Sequence, residues 1–328
     1  MKKHYLLGFL LVALFIFLYP KRNGIYFFNL DRIISEPSVK ILNFGDVMFD
    51  RGVRNIIENR KRDPFEYIKK DLDLLKSDVF IVNLEGPIVE MDRSLCQQKA
   101  YNFQFAPSTT EILKSIGVNI VTIANNHSYD CLMPGYESTI RYLNSSGILF
   151  MGEKEYEKSY TTKVISGKKV AFVGMDETVQ PIPVSGFYEV VRKLKNENDI
   201  VVVNIHWGTE YMLSANENQI EIAHRLVDSG ADVIFGHHPH VVQNMEVYKG
   251  RAIFYSLGNF VFDQNFGDTT VGLGVKVEFK EKETIFELFP LNIKVFAPDL
   301  MKGEEREKFC KKFLGQIPNK DCRFVIKI

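Results

Sequence analysis

A chain of 328 residues that is 45% hydrophobic can bury one large core or two modest ones. Lys plus Arg and Asp plus Glu each number 41, so no global field recruits nucleic acid. Any charged substrate must be recognised locally.

Lys2 and Lys3 precede an uncharged, Leu/Phe-rich run from Tyr5 to Tyr19 that ends at Pro20-Lys21-Arg22. This predicts a signal anchor over residues 1–22. No small-x-small cleavage site follows, which favours an uncleaved single-pass anchor in the cell membrane, with the main domain outside the cytoplasm. A buried helix, the competing reading, has nothing obvious to pack into. In that compartment the four cysteines are worth pairing, and sequence alone allows three connectivities. Cys96 with Cys131 and Cys310 with Cys322 are favoured, the first because both lie beside segments that converge and the second because it closes the tail; free thiols are the alternative.

Residues 23–38 form a polar and aromatic linker. Val39 to Phe44 is a short apolar strand ending in Gly45-Asp46. Asp63-Pro64 reads as an N-cap and first helical position, with Phe65, Ile68, Leu72 and Leu75 following at helical spacing. Asp78 to Val82 is a buried strand that runs into Asn83-Leu84-Glu85-Gly86-Pro87. Ser108 and Glu111 have the spacing of a capping box, for a short helix stopped by Gly117. Val118 to Ala124 is a strand delivering Asn125-Asn126-His127; Pro134 to Ser146 is an amphipathic helix, and Ile148 to Met151 a strand.

Lys169 to Met175 and Ile200 to Ile205 are further strands, with helices over Phe187 to Lys195 and Asn216 to Ser229. Ala231 to Phe235 is an apolar strand leading into Gly236-His237-His238-Pro239-His240, and Arg251 to Tyr255 leads into Ser256-Leu257-Gly258-Asn259-Phe260. Thr270 to Lys280 and Glu283 to Val295 alternate like antiparallel strands. Asp299 to Leu314 reads as a charged helix before a last strand, Arg323 to Ile328. The pattern is one α/β domain with a β-rich finish, over residues 39–295, and a C-terminal extension over 296–328 packing on it.

Five strand ends carry Asp46, Glu85, Asn126-His127, His206 and the pair His238/His240. Singly each has a plain reading: a cap for Asp46, a buried ion-pair partner for Glu85, an Asx turn for Asn126, a core histidine for His206. Gathered at the carboxyl edge of one sheet, they form a mixed nitrogen and oxygen donor set that suits Zn, Mn or Fe rather than Ca. Pro239 holds His238 and His240 as a fixed pair, either as metal ligands or as a hydrogen-bonded histidine cluster. One divalent ion or two would fit so many donors. Arg51 is offered for a substrate phosphate or carboxylate, with a surface salt bridge as its other reading. His224 is expected to face the core and Trp207 to be a packing or stacking surface.

The segments Gly45-Asp46, Asn83-Leu84-Glu85-Gly86-Pro87, Ala124-Asn125-Asn126-His127, His206-Trp207-Gly208-x-Glu210, Gly236 to Gln243 and Tyr255 to Phe260 resemble, in order, the bacterial capsule-synthesis CapA family. Members are linked to poly-γ-glutamate capsules. The resemblance implies a four-layer α/β/β/α sandwich of the calcineurin-like metallophosphoesterase type, here preceded by the membrane anchor. It also implies one or two divalent ions (Mn, Zn or Fe) held by Asp46, Glu85, Asn126, His206, His238 and His240. Glu85 would bridge, His127 would be a non-ligand acid and His237 would support the ligands. The phosphoesterase pattern opens with Asp-x-His, whereas this chain has Asp46-Val47-Met48, so one imidazole of that pattern is absent. The implied function is a membrane-anchored, metal-dependent hydrolase or phosphoesterase of capsule biosynthesis, acting outside the cytoplasm on a phosphoester or an anionic polymer beside other capsule-synthesis subunits. The alternative is a non-catalytic subunit of a capsule synthesis or export complex.

Overall fold

The structure, a computed structural model, describes residues 37–328 apart from Met91, residues 179–182 and Lys320. The expected anchor, nearly all of the linker and His4 lie outside the described residues. Among those described, no helix is long and apolar enough to cross a membrane.

Strand and helix alternate through β1 (Val39–Val47), α1 (Arg51–Glu58), β2 (Val79–Leu84), α2 (Thr109–Lys114), β3 (Ile120–Thr122), α3 (Leu132–Ser146) and β4 (Leu149–Met151), with β1 to β4 paired in parallel. A second sheet follows with β5 (Tyr160–Ile165), β6 (Lys168–Asp176), α4 (Val184–Glu197), β7 (Ile200–His206), α5 (Glu217–Ser229), β8 (Val233–His237), β9 (Met245–Tyr248) and β10 (Arg251–Phe254). Its order is β5-β6-β7-β8-β10-β9, parallel in the middle and antiparallel at both edges. The chain then returns to the first sheet. There β11 (Asn259–Val261) pairs in parallel with β1, and β12 (Val271–Phe279), β13 (Glu283–Lys294), β14 (Ala297–Leu300) and β15 (Arg323–Lys327) pair antiparallel, with α6 (Gly303–Leu314) between the last two.

The two-residue period of the strands sorts side chains into three apolar clusters and hence four layers. Leu42, Phe44, Phe80 and Val82 face outward onto Val53 of α1, Leu113 of α2 and Leu143 of α3. Their alternates Ile41 and Ile81 face inward and meet Phe172, Val202, Phe235 and Phe254 of the second sheet. On the far side, Val201, Val203 and Ile234 receive Phe187 and Val191 of α4 and Ile222 and Leu226 of α5. Because β1, β2, β7 and β8 are covered on both faces, they read as continuous apolar runs. Cys310 and Leu314 of α6 join the cluster between the sheets.

Local signals account for the ends of α5, whereas the capping box expected at Ser108 and Glu111 does not form, since Ser108 makes no side-chain cap on α2. Asn216 and Gln219 form a reciprocal capping box on α5, and Gly230 ends it in the left-handed region. Two expected elements differ. Phe65 to Leu75 forms turns and one short 3-10 helix, Ile68–Asp71, with Phe65, Ile68 and Leu75 buried. Helical spacing over so short a stretch is satisfied by turns as well as by an α-helix. Asp299 lies in β14 rather than opening a helix, because residues 297–300 pair with β13 and α6 begins only at Gly303.

Both expected disulfides are present. Cys96–Cys131 clamps the loop after β2 to the start of α3. Beside it Gln97 N donates to Asp130 O (2.7 Å), and Asn102 Nδ2 donates to the same oxygen (3.0 Å). The bridge spans 35 residues, and changing both cysteines to serine is expected to cost about 2–4 kcal/mol. Denaturant unfolding with and without reductant measures it; equal stability of wild type and variant under oxidising conditions would contradict that cost.

Candidate metal centre

Parallel strands that end together present their C-terminal residues to one another. Asp46 is the penultimate residue of β1, Glu85 directly follows β2, His206 ends β7, and His238 and His240 follow β8, with Asn126 in the turn beyond β3. Two close backbone approaches flank these ends, β1 against the residues before β11 and β8 against those after β10. A Cβ on Gly45 would meet Gly258 O at 1.8 Å, and one on Gly236 would meet Tyr255 O at 1.9 Å, so only glycine fits at either position.

The structure brings all six expected ligands together. Ligand atoms of Asp46, Glu85 and His206 lie within 4.8 Å of one another, and so do those of Glu210, His238 and His240. The two groups touch, since His240 Nε2 is 3.5 Å from Glu85 Oε1 and His240 Nδ1 is 3.2 Å from Asp46 Oδ2. His206 Nε2 reaches Asn126 Oδ1 at 3.0 Å. The Asn83 amide nitrogen donates to Asp46 Oδ1 (2.8 Å), and it stands 3.2 Å from His206 Nδ1 and 3.5 Å from Glu85 Oε2. Three acceptors thus converge on one amide, where a cation would satisfy them more fully.

Burial sets the charge states. Burial alone would raise the pKa of Asp46, yet bonds from His237 and His240 hold it well below the usual carboxylate range. Burial pushes Glu85 well above that range, against the pull of His240. Burial works against the imidazolium of His240, but Glu85 and Asp46 outweigh it and raise the pKa to about 9. Burial and the neighbouring His240 push His238 down to about 4, and burial with His238 lowers His206 well below a free imidazole. Glu85 Oε1 and His238 Nδ1 are buried without a hydrogen-bond partner. Such unsatisfied donor atoms are costly alone and are what a divalent ion takes up, so the residues present fit the implied metal.

His127 faces this cluster without joining either group. Its Nδ1 is 2.8 Å from Asp130 Oδ2, which also accepts from Phe103 N (2.6 Å), and its Nε2 stands 3.9 Å from Glu85 Oε1. Burial lowers its pKa, while Asp130 opposes the shift. A cleft of about 350 Å³ opens beside His127 and His240, walled by Arg51, Tyr101, Phe103 and Tyr211. Arg51 lines it, and its fork is engaged by Asp263, in the salt bridge that is its other reading: Nε is 3.1 Å from Oδ2, and Nη2 contacts Oδ1. Its guanidinium carbon lies 4.9 Å from the Phe103 ring centre. Trp207 is buried, stacks on Tyr255 and donates Nε1–H to Tyr255 O (2.8 Å). His224 lies at the edge of the core, half-buried, stacked on Tyr248 and 2.6 Å from Glu246 Oε1.

Asn83, Asp130 and Glu210 were not singled out from the sequence as site residues. Each lies within three residues of a candidate ligand or of His127, or inside a segment that carried the resemblance, and that adjacency was the available signal. His237 lies against one candidate ligand: its Nδ1 is 3.3 Å from Asp46 Oδ1, and its Nε2 is 3.2 Å from Asn204 Oδ1, which also accepts from Asn43 Nδ2 (2.6 Å).

Residues 40–264 match the family described as bacterial capsule synthesis protein PGA_cap. The chain is similar to the PGA biosynthesis protein CapA of Bacillus subtilis, with 29% identity over 303 residues, 87% of this chain and 78% of that protein. It is also similar to the capsule biosynthesis protein CapA of Bacillus anthracis, with 33% identity over 277 residues, 77% of this chain and 67% of that protein. Among solved structures, a hypothetical protein from Thermus thermophilus superposes with a TM-score of 0.45 at 17% identity, over 79% of this chain and 96% of that one. Vacuolar protein sorting 29 from Cryptosporidium parvum gives 0.38 at 13% identity, over 81% and 97%. With most of the domain matched by one family, including every strand end that carries a candidate ligand, this chain belongs to the bacterial capsule synthesis protein family, PGA_cap.

Proposed function

We propose that the chain is a metal-dependent hydrolase of capsule biosynthesis, acting outside the cytoplasm on a phosphoester or on an anionic polymer of the poly-γ-glutamate type. The observation that carries this reading is the convergence of Asp46, Glu85, His206, His238 and His240, all buried, with Glu85 Oε1 and His238 Nδ1 unsatisfied. Asp46, Glu85, Asn126, His206, His238 and His240 would hold divalent Mn, Zn or Fe. When bound, such ions supply Lewis acidity and activate water near neutral pH. The chain's own residues do the rest. His127, with Nδ1 held by Asp130, gives a proton to the leaving group from Nε2 as the imidazolium, a form that burial disfavours and Asp130 restores in part. The aromatic cleft beside it orients the substrate, and the arginine of the Arg51–Asp263 pair presents a cationic edge there.

Two disulfides support an extracytoplasmic domain, and the lysine-flanked apolar run before it supports tethering to the membrane by a signal anchor. The names of the two Bacillus relatives support a role in capsule biosynthesis. The test is elemental analysis of the full-length protein in detergent, followed by hydrolysis assays on aryl phosphates and poly-γ-glutamate with added Mn²⁺ or Zn²⁺. Metal copurification with turnover is the expected result. A metal-loaded protein that turns over neither would favour the non-catalytic subunit.

A further inference from the structure

The first strand lacks the imidazole that the phosphoesterase pattern places two residues after its aspartate. Met48 stands there, fully buried in the outer apolar cluster, and its Sδ accepts from Asp50 N at 3.0 Å. That side chain is turned into the core and offers nothing to the site. The loop between β7 and α5, however, carries a carboxylate, Glu210, to His238 and His240.

That loop is pinned at several points. Trp207 N donates to His237 O (3.1 Å) and Tyr211 N to Pro239 O (2.8 Å), which laces it to the His-Pro-His segment on both sides of Glu210. Gln243 Nε2 holds Met212 O (2.8 Å) and Ser214 O (3.2 Å), and Ala215 N donates to Asn244 Oδ1 (2.9 Å). Backbone strain collects at the same place: φ is +96° at His238, +57° at His240 and +67° at Tyr211, all non-glycine residues. The imidazole of His238, 8% exposed, leaves Nδ1 unpartnered, and its ligand atoms lie within 4.8 Å of those of Glu210 and His240.

We propose that Glu210 is a metal ligand, completing a second cation position with His238 and His240. The proposal rests on the reading of the site as a metal centre. It makes the centre dinuclear and unequal. Asp46, Glu85, His206 and Asn126 offer three oxygens and one nitrogen, whereas Glu210, His238 and His240 offer one oxygen and two nitrogens. The first position is therefore the harder and favours Mn²⁺, the second favours Zn²⁺.

The test is metal content, read without any assay of activity. Wild type, Glu210→Gln and His206→Ala are stripped, dialysed against ZnCl₂ or MnCl₂ and analysed for metal per chain, with melting of the stripped proteins as the folding control. Wild type is expected to hold two ions and each single variant one. Glu210→Gln should weaken the second equivalent by more than the roughly 10- to 100-fold that follows loss of an outer-shell partner. In the Mn²⁺ form, the spin-coupled signal of an adjacent pair should vanish in Glu210→Gln. Glu210→Gln that keeps two ions with unchanged affinity overturns the assignment while leaving the metal centre standing. Wild type that binds neither metal overturns the metal reading and this proposal with it.

Discussion

Changing His238 to alanine is expected to abolish retention of metal at its position while leaving the stripped protein folded; changing His240 is expected to cost both metal and stability. The two histidines differ in what they leave behind. His238 Nδ1 has no hydrogen-bond partner, and burial with its charged neighbour keeps the ring neutral, so its loss strands no charge. The stripped His238→Ala protein should melt within about 1 kcal/mol of wild type. His240 instead lies between Asp46 and Glu85, both fully buried. Removing one member of a buried ion pair costs about 3–5 kcal/mol. Asp46 retains Asn83 at 2.8 Å and His237 at 3.3 Å, which places the expected loss toward the lower end.

A pH dependence follows from the same pair. The pKa of His240 is raised in the folded state, to about 9, so its contribution is fully present below the unfolded value of about 6.5 and is lost as pH rises through the folded one. In stripped wild type this contribution should therefore decline across that window, and in His240→Ala the decline should be absent. Elemental analysis and denaturant melts at several pH values measure both effects. Full metal retention by His238→Ala would remove it from the ligand set, and identical pH curves for wild type and His240→Ala would remove His240 from the buried ion pair.

The parts of this site that were readable in the sequence are those created by parallel strands. A strand buried on both faces announces itself as an apolar run, and the residues at its end sit at the sheet edge; that logic locates Asp46, Glu85, His206 and His238/His240, and it reaches Asn126 because the apolar run of β3 continues past Thr122 to Ala124. Parts set by loops and by distant pairing were not readable. Asp263 is 212 positions from Arg51, and nothing local marks it as the partner of that fork. Glu210 is four residues past the end of β7, and only the backbone bonds of its loop to the His-Pro-His segment bring it to His238. Helix α1 has eight residues and buries only Val53 and Ile56, too few apolar positions to mark a helical period. The edge strands β5 and β9 are half-exposed and short, so neither a clean alternation nor an apolar run distinguishes them.

His127→Ala is expected to keep the metal and lose catalysis, and the size of the loss should depend on the leaving group. His127 lies in neither ligand group, so metal content should be unchanged. Its ring is fixed by Asp130 at Nδ1 and packed 4.1 Å from the Phe103 ring centre, which leaves Nε2 as the only nitrogen facing the cleft. A positioned proton donor of this kind contributes about 10²–10⁴-fold to a rate. That contribution matters when the departing oxygen is basic and needs a proton, and fades when it is a good leaving group such as 4-nitrophenolate. His127→Ala should thus lose most of kcat on an alkyl phosphate and much less on 4-nitrophenyl phosphate. Asp130→Asn should fall between wild type and His127→Ala on the alkyl substrate, because the ring remains but its orientation is no longer enforced; Asp130 also accepts from Phe103 N and pairs with Lys99 at 2.6 Å, so its variant needs the melting control. The measurement is kcat across a series of leaving groups for the three proteins at matched metal content. An equal loss across the series would remove His127 from proton transfer and leave it a positioning role beside Glu85.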